Sequence, residues 1–290
     1  MKKILRSNAI VLFTILLGLA SAPFILAQTP QEKGYQIMSA VDKLPVVEKM
    51  MSETTLNIYD TQGKRLYARK SRSAMYHENY NDPDKKLSRA IIYFFAPSDY
   101  KGNAALTIEV ASEDDKQWTY MKGLRKPKRI VGSDKSSSFM GSDFSNGDLE
   151  ARDINDYNYT WLATEKIAFK GKSIPVEKIE GTFKDQKKRE DYGYSKGIFW
   201  VHPVSGLVFK GELYDLNGQL FKRMTLGGFV IKPNRDGKKV FIGTEIEMVN
   251  VIKGTKTIME IDPNSIKVEG EVANINPDIF EESYLTRKWW

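Results

Sequence analysis

The sequence predicts a mainly β protein with a few helices, an α+β fold built around one large antiparallel sheet. Short segments that alternate apolar and polar residues recur along most of the chain, and turn residues separate them. Asn217 and Gly218 stand between two such segments, which is a strong hairpin signal. Because no βαβ rhythm and no long linker interrupts the pattern, we expect about ten or eleven strands in one curved or barrel-like sheet.

The predicted elements begin with a helix. Ile37, Met38 and Val41 have helical spacing, which predicts a short helix over residues 35–44 after a loose polar start, and residues 46–51 are expected to begin a second helical piece. Beyond this point the pattern is β almost throughout. The second half gives the clearest series of strands, at residues 159–169, 173–183, 193–202, 207–215, 219–230, 240–250 and 256–261.

Residues 1–27 have the features of a secretory signal peptide. A positively charged start precedes an uncharged apolar stretch over residues 9–19, and small residues follow. Cleavage after Ala27 is preferred to cleavage after Ala22, because the latter would leave a proline at the new N-terminus. The alternative is an uncleaved N-terminal anchor, although the apolar stretch is short for a membrane span. We therefore expect an exported protein in which residues 28–290 form a single domain.

Composition narrows the chemistry. The chain has 44 Lys and Arg against 37 Asp and Glu, a net charge of +7, but loss of residues 1–27 removes three basic residues and leaves +4. This mild excess does not support nucleic-acid binding, which needs a larger and clustered one. The chain has no Cys and only two His, His77 and His202, so disulfides, thiolate metal sites and three-His metal sites are excluded. Since no triad, metal cluster or phosphate-binding loop is present, we expect a protein that is not an enzyme and has no catalytic residue, metal or cofactor.

One segment in the middle of the chain breaks the β pattern and carries a resemblance. Residues 132–153 are rich in Ser, Gly and Asp and contain the run Ser138-Phe-Met-Gly-Ser-Asp-Phe144. Together with Trp118-Thr-Tyr120 before it and Asp148-Leu149 after it, this run resembles the outer-membrane lipoprotein-sorting protein family, whose fold is LolA-like. The resemblance covers nearly all of the mature chain.

The resemblance implies an open, incomplete antiparallel β-barrel capped by short helices, with an apolar concave face that holds lipid or acyl chains. It further implies a periplasmic carrier that moves lipids or lipoproteins between membranes, touches the membrane surface transiently and works with an RND-type (resistance-nodulation-division) exporter of the inner membrane. The alternative is a periplasmic sensor that uses the same pocket to regulate a partner protein. The sequence departs from the family pattern at Lys122 and Gly123, near a family proline, while the Ser-Phe-Met-Gly-Ser-Asp-Phe core is intact.

Apolar side chains of the predicted strands are the candidates for the lining of such a cavity. Each buried CH₂ of an acyl chain gains about 0.8 kcal/mol, so a carrier needs apolar area rather than catalytic groups. Ordinary sheet core is the alternative interpretation for every one of these residues. The candidates are Ile92, Phe94, Leu106, Ile108, Trp118, Tyr120, Trp161, Phe199 and Phe209.

The Ser-Phe-Met-Gly-Ser-Asp-Phe segment has two interpretations that stay open. In the structural one, Gly141 permits a turn and Asp143 or Asp148 caps a short helix. In the functional one, the apolar side chains of the segment plug or gate the mouth of the cavity. The gate candidates are Phe139, Met140 and Phe144.

Two further features also leave alternatives open. The basic run over residues 125–129 suits anionic head groups or an acidic partner face, and it equally suits a solvated edge strand that Lys and Pro protect from aggregation. The terminal Trp289 and Trp290 suit either a cover over the sheet or a membrane or partner surface.

Overall fold

The chain is seen in a computed structural model that describes residues 28–111, 113–151, 153–272 and 274–290, so the predicted signal peptide lies outside the described residues. Within these ranges, two α-helices and fourteen strands are connected by tight turns and short 3₁₀ helices. In chain order the elements are α1 (Pro30–Asp42), β1 (Lys49–Tyr59), β2 (Arg65–Glu78), β3 (Leu87–Ala96), β4 (Ala104–Ile108), β5 (Lys116–Met121), β6 (Lys126–Ile130), β7 (Tyr157–Phe169), β8 (Lys172–Phe183), α2 (Gln186–Tyr192), β9 (Lys196–Val201), β10 (Val208–Tyr214), β11 (Leu220–Pro233), β12 (Lys239–Asn250), β13 (Thr255–Ile261) and β14 (Lys267–Val268).

All strands belong to one antiparallel sheet with the order β6-β5-β4-β3-β2-β1-β13-β12-β11-β10-β9-β8-β7, and β14 pairs with the start of β1. Two meanders, β1–β6 and β7–β13, are therefore joined side by side where β1 pairs with β13. In this pairing Thr54 lies opposite Ile261 and Tyr59 opposite Lys256. The outer strands are β6 and β7, which do not pair with each other in the described part of the chain, so the sheet is not closed into a barrel.

The predicted fold class is confirmed: the protein is mainly antiparallel β with two helices, and its sheet is open. The number of strands is larger than the ten or eleven expected. One added strand, β6, falls on the basic run of residues 125–129, and it is the edge strand that one interpretation of that run described. Residues 46–51 do not begin a helix, because β1 already starts at Lys49.

Helix α1 begins earlier than predicted, at Pro30, because its N-terminus carries a complete set of start signals. Thr29 accepts a hydrogen bond from the Glu32 backbone N–H, and the Glu32 carboxylate accepts one from Thr29 N. Pro30 at the first helical position has no N–H to leave unsatisfied. The helix packs on β7, where a Cβ at Gly34 would lie 2.7 Å from the Trp161 backbone N, so only glycine permits this approach. Neither described helix is long and apolar enough to cross a membrane.

Strand β3 is covered on both faces, which explains its dense apolar run. Successive side chains of a strand point to opposite faces. Ile92 and Phe94 belong to a cluster with residues of the 131–156 connection, whereas Ile91 and Tyr93 belong to a cluster with the C-terminal residues. A strand buried on both faces has no polar face to show, so its sequence is apolar without alternation.

The C-terminal residues 269–290 form this second cover through a series of 3₁₀ turns. Phe280 is 1% exposed and its ring centroid lies 6.2 Å from that of Tyr76. Trp289 is 7% exposed, and Trp290 meets Tyr93 edge to face with 5.1 Å between ring centroids. The two terminal tryptophans therefore cover the sheet, which was one of the two interpretations of this pair.

We expect Phe280→Ala to lower the free energy of unfolding by about 3–5 kcal/mol, because the change leaves a cavity between the C-terminal cover and the sheet. Chemical denaturation of residues 28–290 measures this loss. Val204→Ala, at a side chain that is 70% exposed, is the control and should change stability by less than about 0.5 kcal/mol. Equal stability of Phe280→Ala and the unsubstituted protein would show that the C-terminal cover is not part of the cooperative core.

Candidate functional site

The connection between β6 and β7, residues 131–156, lies across the inner face of the sheet. Its side chains Phe139, Met140 and Phe144 are 1%, 7% and 4% exposed. They belong to one buried cluster with Leu56, Phe94, Ala105 and Met248, from β1, β3, β4 and β12. A segment this short can contact strands so far apart in the sheet order only if the sheet curves around it. We call residues 138–145 the plug.

The plug is a tight loop held by its own backbone. Phe139 N donates to the Phe144 carbonyl over 2.7 Å, and Ser138 and Ser145 form an isolated antiparallel bridge. At its tip, Met140 and Gly141 have φ values of 51° and 70°, in the left-handed region that favours glycine. Gly141 thus has the turn role that the structural interpretation gave it. Because the turn is internal to the loop, the three apolar side chains are presented together on one side.

Polar contacts fix the plug to the first meander. The Arg69 guanidinium, from β2, donates to the Met140 carbonyl, and the Tyr100 hydroxyl donates to the same carbonyl over 3.2 Å. Further along, Gln117 Nε2 donates to the Asn146 carbonyl over 3.0 Å. The bonds from Arg69 and Tyr100 satisfy the Met140 carbonyl, which the left-handed turn leaves without a partner in regular structure.

Other polar contacts fix the plug to the second meander. The Asp143 carboxylate accepts hydrogen bonds from the hydroxyls of Thr255 and Thr257 on β13, at 2.6 and 2.8 Å. Asp143 N in turn donates to Thr257 Oγ1 over 2.9 Å. Asp143 therefore links the plug to the sheet and does not cap a helix. Asp148 does act as a cap, because its carboxylate accepts a hydrogen bond from Ser145 N in a capping box.

A buried ion pair continues this attachment. Lys222 Nζ on β11 lies 3.0 Å from Asp148 Oδ2, and the two side chains are 4% and 5% exposed. The Tyr194 hydroxyl also donates to Asp148, at 2.9 Å from Oδ1. A buried pair of this kind costs desolvation and contributes little net stability, but removal of one partner leaves a charge without compensation. The pair therefore fixes where the connection sits more than it stabilises the fold.

A second buried pair, Lys135 with Glu150, joins the two ends of the connection. Lys135 Nζ lies 3.0 Å from Glu150 Oε2, and the side chains are 5% and 1% exposed. The Tyr192 hydroxyl at the end of α2 donates to the same carboxylate. Burial and the negative charge of Glu150 raise the pKa of Tyr192 above its usual range. The connection is thus attached to the sheet or to α2 at Met140, Asp143, Asn146, Asp148 and Glu150.

Between the connection and the second meander lies an apolar cavity of about 130 Å³. Three of its lining side chains are methionines, which are unbranched and adapt their shape readily. Pockets for drug-sized ligands usually measure about 300–1,000 Å³, so a cavity of this volume is too small for an acyl chain while the plug is in place. The lining residues are Phe144, Asp148, Leu149, Phe199, Gly211, Leu213, Met224, Ile246, Met248 and Met259.

The structure separates the nine predicted lining residues. Phe199 lines the cavity, and Phe94 with Ile92 packs under the plug. Trp161 lies beneath α1, with Lys33 Nζ 3.4 Å from the centroid of its ring, and Phe209 belongs to a separate cluster with Trp200. The other four point to the opposite face of the sheet, under the C-terminal cover, which corrects the expectation that they line the cavity: Leu106, Ile108, Trp118 and Tyr120.

The polar attachments of the connection and the methionines of the cavity were not predicted from the sequence. Lys222 sits in a strand where a lysine is ordinarily read as solvent-facing, so its pattern gave no sign of burial. On β12, Ile246 and Met248 alternate with glutamates, and this alternation could be read from the sequence. It could not show which face of the sheet is concave.

A separate polar cavity of about 620 Å³ lies between α1, the β2–β3 and β4–β5 turns and the end of the connection. Asp115 lines it, and burial together with the negative charges of Glu150 and Glu109 raises the pKa of its carboxyl to about 7. In the described part of the chain no group of three or more His, Cys, Asp or Glu side chains is placed to hold a metal ion. The lining of this cavity is acidic and polar, whereas the cavity beneath the plug is apolar.

Both imidazoles have local partners. His77 Nδ1 lies 2.7 Å from the Val47 carbonyl oxygen, and burial lowers the pKa of this histidine. His202 Nδ1 lies 3.0 Å from Ser205 Oγ within the turn that joins β9 to β10. That contact closes a hairpin and lies away from the plug, so it gives the cavity no acid–base group.

An open antiparallel sheet with helices against it is the LolA-like fold. A LolA superfamily protein from Nitrosomonas europaea has this fold, with a TM-score of 0.60 and 18% identity over 87% of this chain and 99% of that one. An outer membrane lipoprotein-sorting protein domain from Vibrio parahaemolyticus has a TM-score of 0.73 and 24% identity, over 89% of this chain and 100% of that one.

The chain belongs to a LolA-like family of uncharacterized proteins, whose family model matches residues 86–287. A DUF1329 family protein from Desulfovibrio piger ATCC 29098 is 25% identical, with a TM-score of 0.75 over 89% of this chain and 100% of that one. The resemblance found in the sequence is thereby confirmed. Comparison with the curated proteins gives no match.

We expect Lys222→Met to lower the free energy of unfolding by about 3–5 kcal/mol, because Asp148 would keep a buried charge without its cation. Denaturant unfolding measures the loss, and the double variant Asp148→Asn with Lys222→Met should recover part of it. Lys256→Met is the control, since its pair with Glu247 is 37% and 33% exposed and should contribute less than about 1 kcal/mol. A single variant as stable as the control would show that the ion pair does not hold the connection.

We expect Asp115 to make the protein less stable as the pH rises. Its folded pKa of about 7 exceeds the ordinary aspartate value of 3.8, so the folded state holds the proton more tightly and loses that advantage as the pH rises between these values. Relative to Asp115→Asn, the unsubstituted protein should lose roughly 1–2 kcal/mol between pH 5 and pH 7.5, after allowance for solvent screening.

Denaturant unfolding at several pH values measures this difference. Asp114→Asn, at a neighbouring side chain that is 62% exposed, is the control, and its stability difference should stay constant over the same range. A constant difference for Asp115→Asn as well would contradict the buried environment of Asp115.

Proposed function

We propose that the protein is a periplasmic carrier that binds the acyl chains of a lipid or lipoprotein on the inner face of its sheet and passes them between membranes. One observation carries the proposal: an apolar loop occupies the concave face of an open sheet, above an apolar cavity that it does not fill. A fold of this kind needs no catalytic group, and we assign it none. Structural similarity to the outer membrane lipoprotein-sorting protein domain from Vibrio parahaemolyticus and to the LolA superfamily protein from Nitrosomonas europaea supports this function.

The plug occupies the place that cargo would take. Full burial of a large apolar side chain gains about 1.5–3 kcal/mol, so the three plug side chains together contribute on the order of 5–9 kcal/mol. An acyl chain of about twelve CH₂ groups gains about 10 kcal/mol at ~0.8 kcal/mol for each group. These two free energies are similar, so exchange between plug and cargo is reversible, which suits a protein that must release what it binds.

The apolar cavity is where the exchange would begin. Met224, Met248 and Met259 can change rotamer without backbone movement and widen the space under Phe144. A cleft of about 390 Å³ also runs along the plug between Arg69 and Lys128 and gives access from the β6 edge. Because β6 and β7 are not paired, the sheet can open along this edge without the loss of ladder hydrogen bonds.

The compartment and partner follow from the same proposal. Residues 1–27 would direct export, with cleavage after Ala27, and the mature chain would work in the periplasm with an RND-type exporter of the inner membrane.

A carrier and a lipid-responsive sensor differ in whether they transfer cargo. The carrier moves labelled cargo from donor to acceptor vesicles, and a sensor retains it.

Native mass spectrometry of residues 28–290, purified from the periplasm, tests the binding directly. We expect a population that carries lipid mass, and tandem spectra would identify its acyl chains. A protein that is always free of lipid, and that also fails to bind added fluorescent fatty acid, would overturn the proposal.

We expect a disulfide between plug and sheet to abolish fatty-acid binding. Asp143→Cys with Thr257→Cys places the two cysteines where side-chain and backbone atoms already lie 2.8 and 2.9 Å apart, and the chain has no other Cys. The oxidised form should not bind a fluorescent fatty acid, because the plug cannot leave the concave face, and reduction should restore binding.

The matched control is Ser138→Cys with Ser145→Cys, a pair that faces across the bridge within the plug. This disulfide stiffens the plug but leaves it free to move away from the sheet, so oxidised and reduced forms should bind alike. Equal binding by both forms of Asp143→Cys with Thr257→Cys would contradict the displacement of the plug.

A further inference from the structure

Five hairpin turns stand together at one end of the sheet. In an antiparallel meander, successive turns alternate between the two ends of the strands. The turns that follow β1, β3, β5, β10 and β12 therefore share one end. We call this surface the hairpin rim and define it as residues 60–67, 97–102, 122–126, 215–219 and 251–254.

Side-chain and backbone contacts show that these turns are neighbours. A Cβ on Gly254 would lie 3.6 Å from Thr61, which joins the β12–β13 turn to the β1–β2 turn. Lys122 N donates to Asn103 Oδ1 over 2.9 Å, which joins the β5–β6 turn to the β3–β4 turn. The Arg69 guanidinium lies between the Tyr67 and Tyr100 rings, 4.8 and 4.1 Å from their centroids. These contacts join four of the five turns into one surface, and strand direction places the β10–β11 turn at the same end of the sheet.

Large apolar side chains are concentrated on this rim. Of the eleven that are exposed in the described part of the chain, six belong to it. Leu124 is 69% exposed, Ile252 59% and Leu216 52%, and each stands at the corner of a turn. Single exposed apolar residues need no explanation, but a row of them on adjacent turns marks an interaction surface. The remaining three are Leu66, Tyr67 and Val251.

Basic residues surround these apolar side chains. The hairpin rim contains seven Lys and Arg and three Asp, a surplus of four, which equals the net charge of the whole of residues 28–290. Two of the three acids are occupied in their own turns: the Asp60 carboxylate accepts from Gln62 N and Lys64 N, and Asp215 makes the same type of turn. The seven basic residues are Lys64, Arg65, Lys101, Lys122, Arg125, Lys126 and Lys253.

We infer that the hairpin rim docks on the surface of an anionic lipid bilayer, with its apolar turn residues in the interfacial region and its basic residues against the head groups. Exposed aliphatic side chains flanked by Lys and Arg are the combination that binds such a surface. An acidic protein face would match the charge, but it would leave the aliphatic corners of five separate turns without a shared apolar partner.

The docked orientation places the plug beside the membrane. The Met140 carbonyl is bound by Arg69 and Tyr100, and Tyr100 lies within the rim. The Asp143 carboxylate is bound by Thr255, which directly follows the rim turn at Gly254. Docking at the rim does not itself depend on cargo. Its purpose rests on the proposed carrier function, because docking would bring the cargo site to the lipid.

Flotation with vesicles tests the inference on residues 28–290. Vesicles of phosphatidylcholine with phosphatidylglycerol should carry the protein upward at low salt, and vesicles of phosphatidylcholine alone should carry much less. Lys122→Gln with Lys253→Gln should weaken binding about 25-fold, at about 1 kcal/mol or fivefold for each lysine. Leu124→Ser with Ile252→Ser should weaken it about tenfold or more, because the inserted apolar area is lost.

Matched controls lie at the opposite end of the strands. Val204→Ser with Ile231→Ser removes two exposed apolar side chains there, and Lys172→Gln with Lys239→Gln removes two exposed lysines. Both control variants should bind vesicles as the unsubstituted protein does. High salt should release the unsubstituted protein and the control variants from the vesicles. Denaturant unfolding checks that every variant is folded.

Three outcomes would overturn docking at the rim: no flotation of the unsubstituted protein with anionic vesicles, full binding by the rim variants, or equal loss in the controls. The first outcome would favour an acidic protein as the occupant. Binding of soluble fluorescent fatty acid, measured on the same variants without vesicles, separates this from the carrier proposal. Fatty-acid binding without docking overturns the rim alone, and docking without fatty-acid binding overturns the carrier function alone.

Discussion

The pairing of β1 with β13 determines how the rest of the molecule is arranged. It joins two meanders at their inner strands and leaves β6 and β7 at the far edges of one curved sheet. The chain must then pass from β6 to β7 across the open side, and residues 131–156 make this crossing over the inner face. The plug is therefore a consequence of topology.

Because the sheet is open, both of its faces need a cover, and the two covers differ in how they are held. The C-terminal residues 269–290 pack mainly through apolar and aromatic side chains such as Phe280 and Trp289. The plug combines three apolar side chains with hydrogen bonds and a buried ion pair at its margins. Apolar packing alone tolerates sliding, whereas the contacts of Asp143 and Asp148 specify one position. A cover held in this way has one defined position on the sheet.

Much of this arrangement could be predicted from the sequence. Alternation and turn residues gave most strands, and the Ser-Phe-Met-Gly-Ser-Asp-Phe run gave the segment that crosses the inner face. The assignment of residues to faces could not be predicted. Leu106 and Trp118 alternate as sheet residues should, but alternation gives two faces without saying which one is concave, and both proved to lie under the C-terminal cover. The burial of Lys222 was equally inaccessible, because it depends on Asp148, which the fold brings from a distant part of the chain.

The same topology connects the plug with the hairpin rim. Since β1, β3, β5, β10 and β12 all run toward one end, their turns gather there, and the plug reaches that end because its partners Tyr100 and Thr255 lie at the turns. The polar bonds of the plug tip are therefore the ones nearest to any surface that the rim meets. Close to charged lipid head groups, the Arg69 guanidinium has phosphate oxygens as alternative acceptors to the Met140 carbonyl. Contact with a membrane would thus weaken the attachment of the plug at its tip, where release of the three apolar side chains from the sheet has to start.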